Sequence, residues 1–194
     1  MTRLLLLLTA VCFAHSSFAQ SAPTNAPAAV RADAPAAAAA KPATNLPPGI
    51  TLNVSNAVLV APLFLTNGFI MQTGLERTDG LDGGIATFEF SITNAGDYVV
   101  HGVANATSEE SNSFFLNIDA DPEDPLSIWD IEVTTGFEER VVNWRGTGAS
   151  GSDEFDPKVF KLTAGNHKLI VYGREPDAQL KSLTILPFKD PAAK

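Results

Sequence analysis

The chain is short of cysteine, histidine and positive charge, and each shortage excludes a class of protein. Its one cysteine, Cys12, lies in an apolar run at the N-terminus, so the rest of the chain cannot form a disulfide and must rely on a hydrophobic core. Three histidines among 194 residues leave few general bases for catalysis. Thirteen Lys and Arg face twenty-two Asp and Glu, which argues against nucleic acid or an anionic lipid surface as a partner.

The N-terminus is typical of a secretory signal peptide over residues 1–19. Arg3 precedes an apolar run that is too short to span a membrane, and small residues up to Ala19 supply a cleavage site. Cleavage there predicts an exported protein, in the periplasm, at the cell surface or outside the cell, with no membrane insertion. Lipidation at Cys12 is the alternative, disfavoured because a bulky valine precedes it.

The rest of the chain divides by composition. Residues 20–47 are mostly Ala and Pro with nothing large to bury, which predicts a disordered linker. Residues 48–190 have the length of one ordinary domain. Residues 191–194 form a short C-terminal tail. We therefore expect a single folded domain on a tether.

Apolar and polar residues alternate with a period of two from Ile50 onward. In IATFEFSIT, residues 85–93, Phe88 and Phe90 share one face and Glu89 lies on the other, as in a half-buried antiparallel strand. The turn NAG and the run DYVVHGVA follow, and the pattern predicts that these two strands form a hairpin.

About ten such short runs, each bounded by Gly, Pro, Asn or Asp, follow one another without a convincing helical stripe. Strands at this density predict an all-β fold, an antiparallel β-sandwich of the jelly-roll type rather than a closed barrel. The stretch YGREPDAQLKSLTI is predicted to be the last hairpin. Gly173 lets the chain leave the strand, and Arg174 with Glu175 is interpreted as a polar pair that fixes the corner.

Catalytic motifs are missing from the sequence. It contains no G-x-S-x-G elbow, no H-E-x-x-H and no phosphate-binding loop. His101 and His167 both fall inside strand patterns, which favours histidines at the edge of the core. Acidic pairs such as Glu109-Glu110 stand in apparent loops, where solvated charge is ordinary. The sequence therefore predicts that the protein is not an enzyme.

The acidic run DADPEDPLSIWD offers oxygen ligands at Asp119, Asp121 and Glu123, with a spacing similar to that of a calcium loop. Asp124 stands where an EF-hand requires glycine, and strands flank the run, so an EF-hand is excluded. Two interpretations stay open: a looser calcium site, and a solvated turn made rigid by prolines. No other cofactor is predicted.

Two tryptophans lie beside charged residues and suggest a ligand surface. Trp129 precedes Asp130, and Trp144 precedes Arg145. A flat ring can pack against the apolar face of a sugar, while neighbouring polar groups hold its hydroxyls. The alternative for each ring is a packing role, since large aromatic residues dominate sandwich cores.

Five segments carry a resemblance to a known family: SFFLNID, SIWDIEV, GFEERVVNWRG, KVFKLTAGNHKLIVYGRE and QLKSLTI. Together they resemble the carbohydrate-binding-module-like β-sandwiches of the galactose-binding-domain class, close to the family six type of secreted bacterial proteins. The likeness covers about residues 50–187. It implies a noncatalytic jelly roll, often with a structural calcium ion, that binds glycans at a loop-lined cleft or on a concave sheet face.

The resemblance also implies individual site residues. The polar residue that often contacts sugar before the final strand matches Gln179, and the nearest aromatic to the expected cleft is Trp144. Lys181 stands where relatives commonly carry an Asp ligand to calcium, and this positive side chain argues against the family's structural calcium site.

The leading hypothesis is a secreted, noncatalytic carbohydrate-binding module. Its expected cleft comprises Trp144, Arg145 and Gln179, with Trp129 and Asp130 as outer contributors. A structural or adhesive domain that binds an envelope or matrix protein is the alternative. A small jelly-roll enzyme that acts on polysaccharide is the third and weakest interpretation.

Overall fold

The computed structural model describes residues 49–74 and 83–189. The predicted signal peptide, the linker and the C-terminal tail lie outside the described residues. Within these ranges the chain forms twelve strands and one short 3-10 helix. In chain order they are β1 (Ile50–Asn53), the 3-10 helix (Val54–Asn56), β2 (Val58–Val60), β3 (Phe64–Thr66), β4 (Phe69–Met71), β5 (Ile85–Ile92), β6 (Gly96–Asn105), β7 (Ser113–Ile118), β8 (Ile128–Asp130), β9 (Glu138–Val141), β10 (Phe160–Leu162), β11 (Gly165–Gly173) and β12 (Gln179–Pro187).

The strands form two antiparallel sheets. One has seven strands in the order β10-β6-β12-β4-β3, with β1 added beside β12 and β9 beside β6. The other has five strands in the order β2-β5-β11-β7-β8. Alternate residues of each strand point between the sheets and make one core, so burial follows the period of two that the sequence displays. The predicted all-β, antiparallel sandwich is confirmed.

The predicted hairpin between β5 and β6 is wrong. β5 pairs with β2 and β11, whereas β6 pairs with β12, β9 and β10, so the turn between them crosses from one sheet to the other. The Tyr98 hydroxyl donates to the carbonyl oxygen of Asn94 (2.6 Å) and braces this crossing. Alternation identifies the inward face of each strand, but a hairpin and a crossing connection display the same alternation.

The turn after β11 is a second crossing, and the prediction of a last hairpin there is wrong for the same reason. The guanidinium of Arg174 donates to the carboxylate of Glu175 and to Ser113 Oγ (2.7 Å). Glu175 Oε2 accepts from the backbone N–H of Asn112 (2.8 Å). The Arg174–Glu175 pair therefore ties the crossing to the start of β7.

Gly173 is required by close packing. A Cβ at this position would lie 2.1 Å from Gln72 Oε1, a buried side chain. That same oxygen accepts from the backbone N–H of Gly84 (3.1 Å), and the N–H of Gly173 donates to the carbonyl oxygen of Gly84 (2.9 Å). The glycine thus makes room for a side chain that satisfies buried backbone groups.

Trp129 is the largest fully buried side chain and links the two sheets. It belongs to β8 of the five-stranded sheet, yet its indole N–H donates to the carbonyl oxygen of Val141 in β9 of the other sheet (3.1 Å). Its ring packs beside Phe114, with centroids 6.2 Å apart, and covers Gly102 of β6. The expectation that Trp129 contributes to an outer ligand surface is wrong, because none of it is exposed.

Gly102→Ala should destabilise the protein through this contact. The added methyl would lie 2.3 Å from Trp129 Cη2, and overpacking of that kind costs about 1–3 kcal/mol, or more where a rigid ring cannot move. Gly96→Ala in the same strand is the control, since its nearest contact would be 3.8 Å away. Urea unfolding of both variants measures the difference, and equal free energies of unfolding would contradict this account.

Arg174→Ala should lower stability by about 3–5 kcal/mol, because it leaves the buried carboxylate of Glu175 without its cationic partner. The double variant Arg174→Met, Glu175→Gln should lose less, since no charge is stranded and the new amide oxygen can still accept from Asn112. Thermal and chemical unfolding test the order. A double variant that is less stable than Arg174→Ala would contradict the claim that the unpaired carboxylate of Glu175 causes the loss of stability.

Candidate functional site

Three loops at one end of the sandwich enclose a pocket, which we call the loop-end pocket. The loops connect β6 to β7, β8 to β9 and β9 to β10, and the pocket has a volume of about 670 Å³. Five of its lining residues are acidic and one is basic. They are Glu109, Asp130, Glu132, Asp153 and Asp156, with Arg140.

A partly buried ion pair supports the pocket. Arg145 binds Asp130 through two parallel bonds, from Nε to Oδ2 (2.8 Å) and from Nη2 to Oδ1 (2.7 Å). The side chains of Asp130 and Arg145 are 9% and 16% exposed. Bidentate, charge-assisted bonds with so little exposure fix the geometry of both groups.

Asn143 connects this ion pair to the opposite wall. Its Oδ1 accepts from the backbone N–H of Asp130 (3.0 Å), and its Nδ2 donates to the Asp130 carbonyl oxygen (3.0 Å) and to Asp153 Oδ2 (2.9 Å). One amide side chain therefore holds β8 and two points of the β9–β10 connection together, as its mixed donor and acceptor chemistry permits.

Asp153 is the most perturbed group of the pocket. Burial, reinforced by the negative charge of Asp130, raises its pKa to about 6, while Arg145 opposes the shift. Its Oδ1 is buried without a hydrogen-bond partner in the described part of the chain. Glu132 and Asp156, by contrast, are exposed, and no described residue pairs with either carboxylate. The carboxylates at the rim of the pocket are therefore unpaired with any described residue, whereas the carboxyl groups at its floor are held by hydrogen bonds.

The chemistry of this lining suits hydroxyl donors. Carboxylates accept hydrogen bonds at up to four lone-pair positions, and the amides of Asn112 and Asn143 both donate and accept. The remaining lining is aliphatic or small, and no aromatic side chain lines the pocket among the residues described. A ligand here would be held by hydrogen bonds and shape rather than by stacking on a ring.

Trp144 points away from this pocket. Its indole N–H donates to the carbonyl oxygen of Leu116 (2.8 Å), and its ring meets Phe160 edge-on at 5.8 Å. Lys158 Nζ lies 3.7 Å from the ring centroid. The ring is half-buried and its accessible side is occupied, so Trp144 does not offer the open platform that the sequence suggested.

Gln179 is also outside the loop-end pocket. Its Oε1 accepts from Asn105 Nδ2 (3.0 Å) at the end of the seven-stranded sheet, and Asn105 Oδ1 in turn accepts from Thr134 Oγ1 (3.1 Å). Of the five residues predicted from sequence, Asp130 lines the pocket and Arg145 supports it. The structure does not bring Trp129, Trp144 or Gln179 to it.

Sequence reasoning missed several members of the pocket. Asp153 and Asp156 were visible as an acidic loop but carried no sign of burial. Asn143 lies in the run ERVVNW, where it was hidden by strand alternation. Asn143 bridges two backbone segments because of where it lies between them, and no sequence motif indicates that role. The sequence did contain one indication of the pocket: Asp130 and Asn143 both lie next to loops that are rich in Gly, Ser and Asp.

The proposed calcium ligands make separate contacts. Asp119 Oδ2 bonds to His167 Nδ1 (2.6 Å), and its Oδ1 accepts from the N–H of Lys168 (2.9 Å). Asp121 Oδ1 accepts from the Tyr172 hydroxyl (2.8 Å), while Glu123 is exposed. The described residues contain no group of three or more His, Cys, Asp or Glu side chains arranged to hold a metal ion.

His167 is buried and bonded at both ring nitrogens. Nε2 meets the carbonyl oxygen of Thr163 (2.9 Å), and Nδ1 meets Asp119. Burial opposes the charged ring, but the two hydrogen bonds and the negative Asp119 outweigh it, so the pKa of His167 is raised. A ring bonded at both nitrogens acts as a structural clamp rather than as a free base. His101 bonds to Glu139 (2.9 Å) on the outer face of the seven-stranded sheet.

Across the two described ranges, the structure has no helix of the length and apolar character needed to cross a membrane.

Known proteins are similar to this chain in fold but not in sequence. No protein-family model and no curated protein sequence matches the chain. The C-terminal CBM6 of LamC, a marine laminarinase from Zobellia galactanivorans, is similar at a TM-score of 0.50 and 10% identity, over 71% of this chain and 98% of that one. A family 35 carbohydrate-binding module from Clostridium thermocellum gives a TM-score of 0.46 at 10% identity, over 72% and 98% of the two chains. The mannan-binding module from Man5C gives 0.43 at 16% identity, over 72% and 98%.

The similarity to the CBM6 module confirms the predicted resemblance at the level of fold. The chain is a β-sandwich of the kind found in carbohydrate-binding modules, with its two antiparallel sheets in the same class of arrangement.

Asp153→Asn should stabilise the protein at neutral pH, because it removes a charge that burial disfavours and keeps an oxygen for Asn143. The folded pKa of Asp153 is about 6 against an ordinary 3.8, so stability from its protonated form is complete below pH 4 and lost as the pH rises through 6. The advantage of the variant should thus be small at pH 4 and full above pH 7. Denaturant unfolding across this range measures it, with exposed Asp177→Asn as the control. A difference independent of pH would contradict the raised pKa.

Proposed function

We propose that this chain is an exported, noncatalytic carbohydrate-binding module that holds a neutral glycan in the loop-end pocket. The observation that carries the proposal is the Asn143 clamp, which fixes Asp130 and Asp153 as preoriented hydrogen-bonding groups inside a concave site. Sites built on rigid elements bind with less ordering cost than sites on mobile loops. The sandwich fold shared with a CBM6 module supports the same interpretation.

The charge of the lining selects among glycans. Neutral sugars present hydroxyl hydrogens that carboxylates and amide oxygens accept. Uronic acids and sulfated sugars would bring negative charge against Glu132, Asp153 and Asp156, with Arg140 as the one basic lining group. Like charges brought together at a desolvated interface cost several kcal/mol. We therefore expect neutral glycans to bind and polyanionic glycans to be excluded.

The carboxyl pair of the pocket supports binding rather than hydrolysis. Both carboxylate oxygens of Asp130 accept hydrogen bonds from Arg145, and Asp153 accepts one from Asn143. Glycosidases separate their two carboxyl groups by about 5–9.5 Å so that both can flank the scissile bond. A carboxylate whose two oxygens are both held by a guanidinium is not available as a nucleophile or a proton donor, so Asp130 does not supply the second catalytic group.

A glycan array with the intact protein, followed by calorimetry on the best ligand, tests the function. Glu132→Gln and Asp156→Asn should each weaken binding about ten- to hundredfold, the range expected for losing hydrogen bonds to a charged acceptor. Neither carboxylate is bonded to a described residue, so both variants should fold as the wild type does. Glu89→Gln, on the outer face of the five-stranded sheet, is the matched control and should bind normally.

Two results would overturn the proposal. One is a folded protein that binds no glycan on the array, in which case a protein partner in the envelope or matrix becomes the function to test. The other is tight binding to polygalacturonate that is unaffected by Glu132→Gln and Asp156→Asn, because that ligand cannot lie in an anionic pocket. Reducing-end assays on the ligands that bind should remain flat, and released product would contradict the noncatalytic assignment.

A further inference from the structure

An aromatic cluster forms around Trp144, which lies in sequence between the pocket residue Asn143 and the supporting residue Arg145. Three rings surround the ammonium of Lys158, whose Nζ is 3.7 Å from the ring centroid of Trp144, 4.8 Å from that of Phe155 and 5.8 Å from that of Phe160. The cluster combines a half-buried indole with an exposed phenyl ring, since Phe155 is 40% exposed. Trp144 and Phe155 therefore reach the surface, while Phe160 is buried and belongs to the core.

The rings are held in place independently of Lys158. Trp144 and Phe155 exchange two backbone hydrogen bonds, of 2.9 and 3.1 Å. The indole N–H is fixed by the carbonyl oxygen of Leu116 (2.8 Å), and Phe160 braces the indole at an interplanar angle of 88°. Removing the lysine side chain would leave an ordered aromatic surface and would not collapse it.

Lys158 itself is held weakly. Among the described residues no carboxylate forms an ion pair with its ammonium, and burial lowers its pKa. Its contact with the rings is a cation–π interaction, worth about a two- to thirtyfold factor in an equilibrium constant. A four-carbon side chain can reach other staggered rotamers in which the ammonium is fully hydrated. The cluster can thus be uncovered at low cost.

We propose that Lys158 is a removable cap on a second glycan contact, formed by Trp144 and Phe155, so that a sugar ring competes with the protein's own ammonium for the indole face. This inference rests on the proposed function. The face of an indole that attracts an ammonium is also the surface on which the C–H face of a pyranose packs. In the capped state the indole face is closed to a ligand, while the loop-end pocket stays open.

Substitutions at Lys158 separate the cap from a structural role. With the neutral oligosaccharide identified on the array, Lys158→Ala and Lys158→Met should each tighten binding about two- to thirtyfold, because neither presents a charge to the ring. Lys158→Arg should bind no more tightly than the wild type, since guanidinium stacks on indole and stays charged. Lys161→Ala is the matched control: its ammonium pairs with Asp97 on the sheet face, and its removal should leave affinity unchanged.

Tryptophan fluorescence reports which ring is engaged. Trp129 is fully buried and Trp144 is not, so a ligand-induced change in emission should be larger in Lys158→Ala than in the wild type, and absent when Trp144→Phe is added. Thermal unfolding confirms that each variant is folded at the assay temperature. Unchanged or weaker binding by folded Lys158→Ala and Lys158→Met overturns the cap and leaves the proposed function in place. Absence of glycan binding by every form, wild type included, overturns both.

Discussion

The carboxylate of Asp130, held in a bidentate ion pair by Arg145, is the interaction that joins the core of this protein to its pocket. Asp130 ends β8, and the residue before it, Trp129, is fully buried between the sheets. Because successive residues of a strand point to opposite faces, burial of the indole fixes where the carboxylate emerges. The packing of the core therefore sets the geometry of the pocket, and a shift of Trp129 would also move the Asp130 carboxylate.

The same coupling explains the electrostatics of the site. Arg145 neutralises Asp130, so the next carboxylate to enter the region, Asp153, finds burial without a cation of its own and has a raised pKa. Asn143 tolerates this because a neutral amide can donate to a carboxylic acid oxygen as well as to a carboxylate. The arrangement stores an unfavourable charge at the floor of the pocket while the rim charges stay in water, which is typical of sites that bind polar ligands.

The strands were predictable because burial of one face leaves a period of two in the sequence, and nearly every predicted run contains an observed strand. The pairing of the strands was not predictable. The turn before Gly96 and the turn after Gly173 both carry the chain from one sheet to the other, although their sequences are typical of hairpins. Residues 57–65, AVLVAPLFL, show the same limit: one continuous apolar run in the sequence divides into β2 and β3, which lie in different sheets. A true hairpin signal was present in Asn67-Gly68, where both residues have positive φ, and it joins β3 to β4.

The site was harder to predict than the fold because it depends on which way three consecutive residues point. Asn143 lines the loop-end pocket and Arg145 holds Asp130 beside it, whereas Trp144 between them packs against Phe160 and is covered by Lys158. Sequence proximity grouped Trp144 and Arg145 in one cleft, whereas extended backbone points neighbouring side chains in opposite directions. That separation gives the segment two chemically different surfaces, one built from hydrogen-bonding groups and one from rings, on a single rigid support. The bonds of Asn143 and Arg145 hold the segment that carries both surfaces. A movement of this segment would therefore shift both surfaces together.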